Sequence, residues 1–207
     1  MHNQTLDWIA LRAITEIRNG ESFPEDVAYD LGGMPFIDVL REKIMPEDKK
    51  HILRLIKDGH WWHRYLGINL SRPILDQEIA EIVRGAWKQE EHFHTKLAMI
   101  YLLLHYGQPE LQKEEMIAQL EEKREDFIAC IENFYGGHPT GTWGALCLRL
   151  EDPKYEGARP IYLLSLLILA GASEHKTKAL PDIVHELTES NDQLIRNLAI
   201  RLENAVS

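Results

Sequence analysis

The chain has little cysteine, no apolar run of membrane-spanning length and no strand-like alternation, and each absence closes off a class of protein. Two cysteines among 207 residues cannot make a disulfide framework. Cys130 and Cys147 lie in the apolar stretches IACIE and GALCLRL, outside any CxxC pair. A thiol metal site or redox pair is therefore not indicated, and both read as buried thiols of a reducing compartment. The longest apolar run, IYLLSLLILAGA at 161–172, falls well short of the ~20 residues a membrane span needs. The opening MHNQTLDWIALRAITEIRNG lacks a basic stretch followed by an apolar one, so no signal peptide is expected. Positive charge is also in deficit. Lys and Arg number 23 against 33 Asp and Glu, a formal net charge of −10. That balance disfavours non-specific binding to a polyanion or an anionic bilayer. The expectation is a cytoplasmic protein without a membrane partner. The charge discounts a nucleic-acid partner without vetoing one, since a local basic stripe fits within an acidic whole.

What is present is globular and helical. Hydrophobic residues make up 44% and charged residues 27%, ordinary proportions for a packed domain. Runs of β-branched residues alternating with polar ones are missing, while helix-length segments follow one another with short breaks. The breaks are regular: NGESFPED, LGGMP, IMPEDK, KDG, SRPILD, YGQPE, EDPKYEG and ESND. Gly tends to close an apolar helical stretch, and Pro or Asp tends to open the next, as helix ends require. Pro24 and Pro46 are each followed by two acidic residues, which suits the positive end of a helix dipole. The segments come in pairs, the second more apolar than the first. Such pairing predicts stacked helical hairpins with the second helices nearer a shared core.

Aligning the basic residues exposes an internal repeat. The chain reads RYLGINL from Arg64, KLAMIYL from Lys96 and RNLAIRL from Arg196. Leu66, Ala98 and Leu198 share one position, Ile68, Ile100 and Ile200 the next, and Leu70, Leu102 and Leu202 the third. Six residues upstream of each base stand Asp58, Glu90 and Ser190. The steps between bases are 32 and 100 residues, the latter close to three of the former, and periods of this size belong to helical arrays.

The clearest unit, LPDIVHELTESNDQLIRNLAIRLENA at Leu180–Ala205, resembles a HEAT repeat, and Asp58–Leu70 and Glu90–Leu102 resemble it less closely. The resemblance covers roughly residues 47 to 206. It implies a right-handed α-α solenoid of about five helical hairpins, a HEAT-like array over 46–207 folding as a single unit. Residues 1–45 would form an N-terminal helical cap: one amphipathic helix over Thr5–Arg18, then two short ones around Gly32-Gly33. It further implies a polar ladder between repeats, mapping onto Asp58 with Arg64, Glu90 with Lys96 and Asp192 with Arg196. The chain departs from the pattern in two places. The unit near Ile128 lacks its base, and Arg159 is followed by Pro160, which starts a helix instead of continuing one. The all-apolar 161–172 segment would occupy an interior layer, against helix 178–189 and the last helix.

HWWHR, His60–Arg64, is the stretch richest in chemistry-bearing side chains. A His-based metalloenzyme would bring His63 together with His94 of the EEHFH stretch one repeat later. No HExxH motif or close Cys/His cluster supports it. Helical-repeat DNA glycosylases of the alkylation-repair type are similar in size and carry Trp-rich helices, but they place an Asp where His63 and Arg64 stand here. Iron-binding HEAT-like hydroxylases carry a His-Glu pair per repeat, whereas His185-Glu186 is the one such pair here. GGHPTGTWG, 136–144, follows a helix and has no Lys after its glycines, so it reads as a break between halves of the array. Trp143 in it is a core residue or an exposed anchor. Ser165 sits mid-helix, and no GxSxG occurs. QKEEMIAQLEEKREDF, 112–127, presents an acidic face suited to a basic partner.

The sequence thus points first to a non-catalytic scaffold without cofactor, binding a protein or peptide, a basic one where the acidic face is used. An alkylation-repair-like DNA glycosylase and a His-based metalloenzyme stand as the alternatives. Stacked repeats present rows of side chains on a concave surface. The residues at the starts of second helices are the expected contacts: Trp61, His63, Arg64, His94, Lys96 and Arg196.

Overall fold

The computed structural model describes residues 2–21, 23–30, 34–105, 112–134, 139–171 and 180–206. Among these the chain is all-helical, with thirteen α-helices, short 3-10 turns and no strand. No helix among them is long and apolar enough to cross a membrane. The chain divides into two compact units, Met1–Leu102 and Leu103–Ser207.

The first unit begins with α1 (His2–Arg18), whose buried face is Ala10, Ala13, Ile14 and Ile17, the three- and four-residue spacing of an amphipathic helix. Gly20 ends it. At φ 93° it takes the left-handed conformation that glycine adopts without strain, and the amide of Glu21 reaches back to the carbonyl of Glu16 at 2.9 Å. The amide of Gly20 bonds the carbonyl of Ile17 at 3.2 Å, completing a Schellman closure. After α2 (Glu25–Asp30), α3 (Met34–Arg41) packs on α1, and its Phe36, Ile37 and Leu40 are buried. A 3-10 turn over Pro46–Asp48 is fixed by the buried Asp48 carboxylate, which accepts from Arg18 Nε at 2.6 Å and Nη2 at 2.8 Å. The same carboxylate takes the Met45 amide at 3.0 Å.

α4 (Lys49–Ile56) and α5 (Trp61–Leu70) form a tight antiparallel pair across the short turn 57–60. Their approach depends on Gly67. A Cβ there would lie 2.8 Å from the backbone nitrogen of Ile56 and 2.8 Å from Leu55 Cβ, closer than atoms tolerate. Asp76 caps α6 (Gln77–Ala86) by accepting the Ile79 amide at 3.1 Å, and Lys49 binds both Asp76 and Glu78. The division between units falls inside α7 (Phe93–His105).

The second unit is built around α11 (Arg159–Ala170), which starts at Arg159-Pro160 as the proline requires. Every residue from Pro160 to Ala170 except Leu167 is buried. α8 (Lys113–Glu122), α9 (Arg124–Phe134), α10 (Pro139–Glu151) and α13 (Gln193–Val206) all pack on it, the covering its composition demands. α12 (Asp182–Leu187) packs on α13. Ser165, mid-helix and buried, donates to the carbonyl of Ile161 at 2.7 Å. Two sequence expectations are corrected here. Residues 139–144 of the glycine-rich stretch are helical, with Trp143 buried in α10, while 136–138 lie outside the described residues. Of the thiols, Cys130 is buried but Cys147 is only half-buried. Residues Gly32-Gly33 and 172–179 also lie outside the described residues.

Candidate functional site

The HWWHR stretch opens α5 through an interlocked turn. The Asp58 carboxylate accepts the His60 amide at 2.8 Å and meets His63 Nδ1 at 3.1 Å. The amide bond first, then His63, holds Asp58 below the usual carboxylate range. His60 is the N-cap: its backbone is extended, and its Nδ1 accepts the Trp62 amide at 3.3 Å. From this start the two tryptophans diverge. Trp62 turns inward, 2% exposed, and its indole N–H donates to the Phe23 carbonyl at 2.8 Å. Trp61 stays half-buried and lies flat on the His92 ring, with centroids 3.7 Å apart and planes at 10°. His60 and His94 stand farther from Trp61, at 6.1 and 6.4 Å.

Arg64 is held from both sides. Its Nε and Nη2 make a forked pair with Glu90, at 2.7 and 2.8 Å, and its Nη1 donates to the carbonyls of Asp58 and Gly59 at 3.0 and 2.8 Å. Glu90 is 6% exposed. Burial alone would raise its pKa, but the Arg64 hydrogen bonds and the His92 amide, which it accepts at 2.9 Å, bring it below the usual value. The buried fork ties α5 to the turn that opens α7, and the Thr95 hydroxyl adds a bond to the Trp61 carbonyl at 3.2 Å. His92 is pushed below the ordinary imidazole pKa, first by burial and then by the charges of His94 and Arg64. Among the described residues, its buried Nδ1 has no hydrogen-bond partner.

The same turn recurs at the other bases. Glu90 accepts the amide two residues on, that of His92, as Asp58 accepts that of His60, and Ser190 Oγ accepts the Asp192 amide at 3.2 Å. The carbonyls of His60, His92 and Asp192 then receive the amides of Arg64, Lys96 and Arg196 at 3.3, 3.0 and 3.0 Å. Arg196 reaches back to the Ser190 carbonyl at 2.8 Å, as Arg64 does to that of Asp58. The repeat register read from sequence is therefore a register of hydrogen bonds.

The partners differ in part from the ladder expected. Arg64 meets Asp58 through its carbonyl and takes the carboxylate of Glu90, from the next unit of the sequence repeat. Asp192 caps α13 through the Leu194 amide at 3.0 Å and pairs with Lys113 at 3.3 Å. Counting back from the bases, the counterpart of His63 is Thr95, and His94 matches Trp62. Trp61, His63, Arg64, His94 and Lys96 thus lie in or beside one cluster of the first unit, while Arg196 belongs to the second. Sequence reasoning did not select His92, although it stands four residues before Lys96, as the capping His60 does before Arg64. Among the described residues, no three His, Cys, Asp or Glu side chains converge as a metal site.

Compared with protein-family models, with curated proteins and with solved structures, the chain matches none.

Proposed function

We propose that this chain is a non-catalytic scaffold that binds a protein or peptide, built as a short HEAT-like stack of helical hairpins. The observation that carries the reading is the recurrent turn. At Asp58/Arg64 and Ser190/Arg196 a side chain accepts the amide two residues on, and a base six residues on returns to the carbonyl. Glu90 repeats the first half of that pattern. A hydrogen-bond motif repeated in register is what a repeat architecture needs to stack similar hairpins. Two of the candidate nucleophiles, Ser165 and Cys130, are bonded or buried. Ser165 back-bonds within its helix, and burial drives the Cys130 thiol up to about 12.

Within this reading the binding face is the start of α5 and of α7. Arg64 serves the buried pair with Glu90, so the contacts offered to a partner are Trp61, His63 and His94, with Lys96 one turn on. Trp61 is rigidly placed by its His92 stack, and rigid aromatic anchors are what interface hot spots favour. The test is affinity capture from native lysate with wild type beside a Trp61→Ala/His94→Ala variant whose helicity matches by circular dichroism. A protein retained by wild type and lost by the variant supports the face. Equal capture by both, or none by either, removes it.

A further inference from the structure

The second unit carries a groove between α8 and α13. Lys113 pairs with Asp192 at one end, and at the other Arg201 pairs with Glu121. The second pair lies eight residues farther along α8 and nine farther along α13, so the two helices run parallel. At 1.5 Å per residue, about 12 Å separates the two pairs. Between them is an open depression of about 440 Å³ with a largely apolar lining. Ile117 and Leu198 form its buried floor, and Ile200, 41% exposed, stands on its wall.

We infer that this groove binds a short amphipathic helix of another protein, one that sets two apolar side chains one turn apart into the groove and a Lys or Arg beside them. The span fits that occupant, since side chains one helical turn apart have Cβ atoms about 5–6 Å from each other. The charge selects its sign. Glu114 lines the groove with no ion-pair partner among the described residues, and Glu121 lines it next to Arg201. Beyond the lining, the exposed stretch that follows carries Glu122, Glu125 and Asp126 against Lys123 and Arg124, so acidic residues outnumber basic ones there. A second copy of a chain with net charge −10 is repelled by such a rim, whereas a cationic helix is attracted.

The inference deepens the scaffold reading and rests on it, but uses a different surface, so the two fail separately. The experiment is selection of a phage-displayed random peptide library on the full-length chain, followed by anisotropy titration of the enriched peptides. Expected is a consensus of two apolar residues three or four apart with adjacent Lys or Arg. Its affinity should fall at least tenfold in Ile200→Asp and about tenfold in Glu114→Lys, both surface changes, and stay unchanged in Trp61→Ala. No enrichment, a consensus without basic residues, or equal affinity for Ile200→Asp and wild type would overturn the groove assignment. Loss in Trp61→Ala with the two groove variants unaffected would instead place the peptide on the α5–α7 face and leave the scaffold reading standing.

Discussion

Arg64 and Glu90 show how one ion pair can be structural where the sequence suggests an interface. The Glu90 carboxylate is buried, so removing its partner strands a charge that water cannot reach. Arg64→Ala should destabilise the chain by about 3 kcal/mol, the range for breaking a buried pair from one side. Arg64→Lys should recover only part of this, because an ammonium cannot reproduce the two-pronged contact. Urea denaturation measures both, and a cost below ~1 kcal/mol for the alanine variant would mean the pair is screened like a surface one. His92 supplies a pH dependence. In the unfolded chain its imidazole titrates near about 6.5, and in the folded chain it takes a proton only at lower pH. Between those values the unfolded state binds more protons, so stability falls as pH drops through about 6.5 and levels off below the folded pKa. His92→Phe keeps a ring against Trp61 and removes the titration. Its stability should change less than wild type's between pH 7 and pH 5.5, and an identical slope would assign the effect to other groups.

At the scale of elements, two glycines with similar helical surroundings should respond oppositely to alanine. Gly67 lets α4 and α5 approach, and an added methyl meets the Ile56 backbone, which cannot yield as a flexible side chain would. Gly67→Ala should cost about 1–3 kcal/mol, as overpacking does. Gly144, exposed in α10, has nothing within 4 Å of an added Cβ. Gly144→Ala should stabilise by about 0.5–1 kcal/mol through helix propensity alone. Thermal unfolding of the pair decides, and shifts of the same sign would sink the packing argument. Several breaks between helices were legible beforehand because Pro, Gly and acidic first turns mark helix ends. The α10 start was not: GGHPTGTWG reads as a loop by glycine content, yet its second half is helical, opened at Pro139 with Trp143 in the core. Glycine density measures freedom in the unfolded chain, and burial of one tryptophan outweighs it.

For the whole molecule, a net charge of −10 means that like charges repel in the compact state more than in the expanded one. Raising salt to about 0.15 M shortens the screening length to about 8 Å and relieves that repulsion. The urea midpoint should therefore rise over this range and then flatten. A falling midpoint would show that exposed pairs such as Arg201–Glu121 outweigh the general repulsion, against their usual worth of 0–1 kcal/mol. The same deficit of positive charge argues for a cationic partner at the α8–α13 groove.

The sequence by itself determined that the chain is helical, where several breaks between helices fall, and the register of its repeated turn. These are local properties: apolar spacing, capping residues and hydrogen bonds reach only a few positions along the chain. Register even foretold that Asp58, Glu90 and Ser190 hold equivalent places. Only the tertiary structure decided which partner each side chain takes. Arg64 chose Glu90, 26 residues away, because burial of that carboxylate needs a forked donor. Trp62 entered the core while adjacent Trp61 stacked on His92, since successive helical residues point about 100° apart and only the neighbouring elements fix which one is inside. Whether a functional-looking residue is structural depends on what is packed against it, and spacing along the chain does not carry that information.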